Sequence, residues 1–160
     1  MLLFLAVVLS AAPRVVAVDI DKVVHPVTVE IIGRAIAQAQ REGAQLVLIR
    51  LNTPGGLMDA SRQTIEKIVA SPVPVVTFVT PSGGRAASAG FFLLEAGDVA
   101  AMAPGTNTGA ASPVAIGVEM DQVMRRKVES DAAASLRSLT SKRGRNSALA
   151  EKTVLEAKSF

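Results

Sequence analysis

The chain contains no cysteine, tryptophan or tyrosine, and its one histidine is His25. Without cysteine there is no disulfide framework, no thiolate metal site and no thiol nucleophile. A single imidazole cannot build a histidine-rich metal centre, and it strips out most histidine-based catalysis, so neither a metal nor a cofactor is expected. Aromatic residues are also scarce, at 3%. Phe160 is the only one within residues 121–160, a segment with nine Lys/Arg against five Asp/Glu. Nucleic-acid binders pair basic surface with stacking rings, so no nucleic-acid partner is expected and the basic surplus reads as a solvated helical face. No glycine-rich stretch ends in Gly-Lys-Ser/Thr, which argues against a P-loop.

What remains is a chain of 160 residues, 49% hydrophobic and only 19% charged, the size of one domain with a real core. Met1 to Leu9 is apolar without a break, and Ser10-Ala11-Ala12 supplies the small residues a signal peptidase accepts. Residues 1–14 are therefore expected to form a hydrophobic leader, too short to span a bilayer, followed by one domain over 15–160. The positive residues that usually precede such a run are missing.

From Val15 onward, strand and helix patterns alternate. Apolar runs at Val15–Ile20 and Leu46–Leu51 predict buried strands, and those at Val73–Val79 and Val99–Ala103 predict two more strands. Pro26 opens a helix carrying Ile31, Ile32, Ala35, Ile36 and Ala39 at helical spacing until Gly43, and His25 just before it suits a capping role. A second helix, capped by Asp59, is expected to turn Ile65, Ile68 and Val69 inward. A third ends near Gly97, and Gln122–Lys142 reads as a long amphipathic helix with Val128, Ala132, Leu136 and Leu139 on one face. Ser147 begins a last one. The alternation predicts an α/β domain with a mainly parallel sheet. In such sheets ligands bind beyond the carboxyl ends of the strands, and three small-residue loops leave strands at that end. They are Asn52–Asp59, Pro81–Ser88 and Pro104–Pro113.

The middle loop, Pro81-Ser82-Gly83-Gly84-Arg85-Ala86-Ala87-Ser88-Ala89-Gly90, places Ser88 at a helix entrance among small residues. A hydroxyl there is reachable by a substrate, and the helix start offers unpaired N–H groups to a developing negative charge. Ser88 is thus a candidate nucleophile, with a plain N-cap as the alternative. Pro54-Gly55-Gly56 can likewise aim backbone N–H groups outward, or be an ordinary tight turn. The G-x-S-x-G elbow is only half met, because Ala86 occupies the first glycine position. A nucleophilic serine needs a base, and a lysine serves if burial keeps it neutral. Lys142 sits with Arg143 and Arg145 in a cluster that favours solvent, and Lys152 and Lys158 lie in the last helix. Lys127 adjoins the apolar stripe, with Met120, Met124 and Val128 expected to bury it; a snorkelling surface lysine is the alternative.

Taken together, Asn52-Thr53-Pro54-Gly55-Gly56, the Ser88 loop, Ala101-Met102-Ala103-Pro104-Gly105-Thr106-Asn107-Thr108-Gly109-Ala110, Arg137-Ser138-Leu139 and Arg143-Gly144-Arg145-Asn146 closely resemble the NfeD-type membrane-bound serine proteases. These belong to the ClpP/crotonase superfamily, with Clp protease and signal peptide peptidase A as relatives. The resemblance implies a repeated β-β-α spiral whose protease domain continues beyond Phe160, so the C-terminal part is expected to be missing. It implies a serine endopeptidase with a Ser-Lys dyad: Ser88 as nucleophile, Lys127 as general base, the N–H groups of Gly56 and Ala89 as oxyanion hole, and Gly55 and Leu57 against the substrate. It further implies peptide or membrane-protein substrates of the stomatin-like kind, membrane association of the full-length protein, an exported protease domain and a homodimer or higher homo-oligomer. Clp protease carries its histidine and aspartate after the serine, and nothing here can play that histidine, so the full triad does not carry over. Two other functions share the framework: a noncatalytic assembly domain for a stomatin-like partner, and a crotonase-like acyl-CoA hydrolase or isomerase, which would need neither Ser88 nor Lys127.

Overall fold

A computed structural model describes residues 12–115, 117 and 119–160. The expected leader falls largely on residues 1–11, outside the described residues. Six strands and five helices follow in the order β1 (Val15–Ile20), α1 (Pro26–Glu42), β2 (Leu46–Leu51), α2 (Met58–Val69), β3 (Val75–Val79), β4 (Arg85–Ala87), α3 (Ala89–Ala96), β5 (Val99–Met102), β6 (Asn107–Gly109), α4 (Gln122–Lys142) and α5 (Ser147–Leu155). The main sheet has the order β1-β2-β3-β5 and is parallel throughout, as the alternation of elements implies.

A second, smaller parallel ladder crosses the carboxyl ends of these strands. Val24 bridges Gly56, Thr53 bridges Ala86, and β4 pairs with β6. Each main strand is thus followed by a short extended segment and then by a helix, which is the expected β-β-α repeat. The short strands β4 and β6 carry Arg85-Ala86-Ala87 and Asn107-Thr108-Gly109, sequences with too little β-branched character to read as strands. They were expected as loops; tertiary pairing makes them extended. The chain end completes this layer, with Thr108 and Phe160 exchanging N–H···O bonds of 3.0 and 2.9 Å.

The main sheet is half-buried, which corrects the expectation of buried strands. In β2 and β3 the alternate residues Val47, Ile49, Leu51, Val75, Thr77 and Val79 are buried, whereas Arg50 is exposed. Strand β1 lies at an edge and exposes Val15, Ala17 and Asp19, the last paired in register with Arg50 at 2.7 Å. Such an exposed pair adds about 0–1 kcal/mol. Full burial of Ile49, Leu51, Leu93 and Leu136 contributes about 1.5–3 kcal/mol each and dominates the fold.

Helix ends follow their local chemistry. His25 caps α1 by accepting from the Val27 N–H, its own N–H bonds Thr28 Oγ1, and Gly43 stops the helix at φ 61. Ile31, the first of the residues at helical spacing, is 40% exposed. Asp121 caps α4 through two 2.8 Å bonds. Asp59 does not cap α2: Leu57 holds the cap position without a side-chain bond, and Asp59 lies inside the first turn, where its charge favours the helix dipole. Of the residues expected inward from α2, Ile68 is buried, while Ile65 and Val69 are partly buried against the core.

Candidate active site

The three small-residue loops converge at the carboxyl ends of the parallel strands, and the crossing ladder locks them together. Thr53 donates its N–H to Arg85 O at 2.7 Å and accepts from Ala87 N–H at 3.1 Å; Thr108 Oγ1 donates to Ala86 O at 2.6 Å. Ser88 follows directly. Its N–H bonds Gly109 O at 2.8 Å and its carbonyl accepts from Phe91 N–H at 3.0 Å, so both sides of the residue are fixed.

Held this way, Ser88 has φ 53 and ψ −121, the region of the first central residue of a type II′ turn, which favours glycine. A serine there costs on the order of 1–3 kcal/mol, a cost that persists only where the surroundings impose it. Although Ser88 stands at the N-cap of α3, its side chain makes no capping hydrogen bond. The N-cap alternative therefore fails, and the half-buried hydroxyl is left for something else. Small neighbours are a geometric necessity here. A Cβ on Gly55, at φ +114, would lie 2.6 Å from Ser88 Cβ and 3.1 Å from its Oγ, and one on Gly90 would lie 2.6 Å from Thr53 Cγ2.

Beside Ser88 lies a cavity of about 300 Å³, lined mainly by apolar groups. Gly56, Leu57, Ser88 and Ala89 line it, together with Ile65, Phe92, Val114 and Ala132. In the ladder, Val24 donates to Gly55 O at 2.8 Å and accepts from Leu57 N–H at 2.9 Å, so the Gly56 N–H between them takes no part in it. The Gly55 N–H is bonded to Thr53 Oγ1 at 3.1 Å. Ala89 is the first residue of α3, where the N–H has no intrahelical acceptor. The structure thus brings together Ser88, Gly56, Ala89, Gly55 and Leu57.

Lys127 is placed differently. It is exposed near the start of α4, in an open groove with Val123, Arg126, Ser130, Asp131 and Ala134, next to the cavity that Ala132 and Ser135 of the same helix line. The burial expected from its neighbours is not met: Met124 is 49% exposed, because only the later part of α4, from Ala132 to Thr140, packs inward. Asp131 does not pair with Lys127 but forms an ion pair with Arg62 of α2, joining the two helices at the cavity rim. Arg62, Phe92 and Ser135 were not singled out from the sequence. Ser135 lies two turns beyond Lys127 on the same helix, a periodic signal that could have found it; Phe92 and Arg62 join only through packing. Lys142 is exposed as expected, but Arg143 and Arg145 beside it turn inward, with side chains 12% and 20% exposed.

Fold and site together define an α/β domain that presents a strained serine at a helix start, beside an apolar cavity. The chain belongs to the family described as NfeD1b, N-terminal domain, which matches residues 14–158. It is 32% identical over 155 residues to the "Membrane-bound protease PH1510" of Pyrococcus horikoshii, and 31% identical over 100 residues to the "Membrane protein NfeD1b" of Bacillus subtilis. These alignments cover 96% and 62% of this chain but 35% and 22% of the relatives, so the chain spans about a third or less of their length. Among solved structures it resembles the 1510-N membrane-bound stomatin-specific protease. A serine-to-alanine mutant superposes with a TM-score of 0.86 at 30% identity, covering 94% of this chain and 74% of that one. A lysine-to-alanine mutant in complex with a substrate peptide gives 0.85 at 30% identity, covering 94% and 70%. Both relatives are named as membrane proteins; among the described residues of this chain, no helix is long and apolar enough to cross a membrane.

Proposed function

We propose that this domain is a serine endopeptidase working through Ser88 and Lys127 on apolar stretches of membrane-associated, stomatin-like proteins. The observation that carries the reading is the Ser88 turn: a strained backbone and a hydroxyl with no capping duty, on a cavity that Gly56 and Ala89 also line. In the first step Ser88 Oγ attacks the scissile carbonyl while Lys127 Nζ accepts the hydroxyl proton. The oxyanion forms against the Gly56 and Ala89 N–H groups, where each such donor is worth roughly 10²–10³ in rate. Collapse transfers the proton to the leaving amine and leaves an acyl-enzyme, which water hydrolyses by the same path. Lys127 is exposed in the free chain and does not line the cavity, so the mechanism requires a bound peptide to bring its amine and Ser88 together. Supporting the dyad, the relative was altered at a serine and a lysine separated in sequence by nearly the same interval as Ser88 and Lys127. The apolar cavity suits apolar side chains. Action on the exported side of a membrane and assembly into homo-oligomers rest on family membership alone.

The test is reaction with a serine-directed fluorophosphonate and mapping of the labelled peptide, alongside peptidase assays of Ser88→Ala, Lys127→Ala and Lys127→Arg. Label at Ser88 is expected, with loss of activity on the order of a millionfold for Ser88→Ala. Lys127→Arg should be as inactive as Lys127→Ala, since arginine stays protonated. An active Lys127→Arg enzyme would remove the lysine from the mechanism, and an unlabelled Ser88 would leave the assembly-domain reading.

A further inference from the structure

The Arg143-Gly144-Arg145 turn plays no part in the chemistry above, yet it is among the most heavily bonded polar groups in the domain. Helix α3 is only eight residues long and carries the Ser88 turn at its start. At its other end Gly97 has φ −60 and ψ 151, so the chain leaves extended, without the left-handed turn that usually satisfies the last carbonyls. The two arginines take that role. Arg145 donates to Glu95 O at 2.6 Å and Gly97 O at 2.8 Å, and Arg143 donates to Ala96 O at 2.8 Å. Arg143 also pairs with Asp98, whose other oxygen accepts from the Val75 N–H at 2.8 Å, tying the clamp to β3. Gly144, at φ +66, turns the chain between them.

We propose that Arg143 and Arg145 are positioning residues that set the axial register of α3, and with it the placement of Ser88 against the Gly56 amide and the helix of Lys127. The inference rests on the peptidase reading. Its physical basis is that α3 is buried on most sides by Phe91, Leu93, Leu94 and Ala96, and apolar contact is non-directional. Such packing resists tilting a two-turn helix but specifies poorly where along its axis it stops. Charge-assisted hydrogen bonds at fixed distances to three successive carbonyls do specify it. The helix spans about 12 Å, so a slip at the clamp is carried along it to Ser88, where it strains the bond to Gly109 O. Because both arginines follow the C-terminus of α4, the same bonds fix α3 against the helix carrying Lys127.

The variants are Arg145→Lys, Arg145→Met and Arg143→Lys in the full chain. A lysine keeps the charge but lacks the planar fork that reaches two carbonyls. Measured well below each variant's melting temperature, kcat should fall about 10- to 100-fold with KM changed less than about twofold, and fluorophosphonate labelling of Ser88 should slow by the same factor. Amide exchange at Phe91, whose N–H bonds Ser88 O, should accelerate at least tenfold, a readout independent of catalysis. Folded variants that keep wild-type kcat, labelling rate and Phe91 exchange while losing only melting temperature would overturn the clamp. Should Arg145→Met not fold, Arg143→Lys decides by the same measurements. Wild-type protein unlabelled at Ser88 would instead sink the peptidase reading, and Phe91 exchange would then still report whether the arginines hold the turn.

Discussion

Replacing Gly55 by alanine adds one methyl group to the domain, and its effect can be worked from the geometry. The new Cβ would sit 2.6 Å from Ser88 Cβ, 3.1 Å from Ser88 Oγ and 3.1 Å from Ala87 O. Carbon atoms in contact prefer about 3.5–4.0 Å, so Ser88 and residue 55 must separate by roughly 1 Å. Neither side yields easily. Residue 55 is held by Val24 and Thr53, and Ser88 by Gly109 O and Phe91 N–H. The backbone at φ +114 adds a further cost of about 1–3 kcal/mol for any side chain, so the melting temperature should drop by roughly 2–12 °C. A nucleophile displaced by about 1 Å loses on the order of 10² in rate, a far larger change than the fraction unfolded at 25 °C would produce. The assay is the second-order rate constant for fluorophosphonate labelling of Ser88, paired with a thermal melt. Gly55→Ala labelled at the wild-type rate, with an unchanged melt, would refute the contact and the rigidity assigned to both loops. Gly56 is a poorer probe of the same site: a Cβ there would lie 2.1 Å from Val24 O, so any side chain breaks the ladder before it tests the amide.

Two other perturbations have signs fixed by the structure. Ser88→Gly should abolish labelling and yet stabilise the domain, because glycine relieves about 1–3 kcal/mol of backbone strain against up to about 1 kcal/mol for its greater freedom when unfolded. A melting temperature at or below wild type would show that the turn is unstrained. The pH dependence of stability should carry a signature of Glu95, whose carboxyl is pushed above its ordinary 4.5 by burial, with the Arg145 guanidinium pulling the other way. A raised folded value means that this contribution is complete below about 4.5 and is lost as pH climbs through the folded value. Glu95→Gln should therefore gain stability relative to wild type across that rise. Glu151, held below its ordinary value by hydrogen bonds from Arg137 at 2.8 and 2.7 Å, contributes with the opposite sign, present above 4.5 and lost in acid. Urea midpoints from about pH 4 to 7 check this, and a wild-type-to-Gln difference that stays flat would refute the burial of Glu95.

Much of the framework was legible in the sequence because it is written in local chemistry. Alternating branched runs and helical periodicity specify β1, α1, β2 and α4 at their observed bounds, and His25, Pro26 and Gly43 are start and stop signals whose action needs no distant partner. The clustering of Gly55, Gly56, Ser88 and Ala89 was legible too, because a parallel sheet puts all its strand ends on one side. Only the tertiary structure decided the rest. Strands β4 and β6 have no propensity of their own and are extended because Thr53, Thr108 and the chain end offer them hydrogen bonds. That Ser88 is strained rather than a cap depends on Gly109 O, a distant group that no spacing rule connects to it. The inward turn of Arg143 and Arg145 reverses what their charge suggests, because three carbonyls at the end of α3 need donors and those side chains supply them. The exposure of Lys127 has the same kind of cause: periodicity gives a helix its apolar face, but how far along that face the neighbouring helices extend is set by the packing of the whole domain.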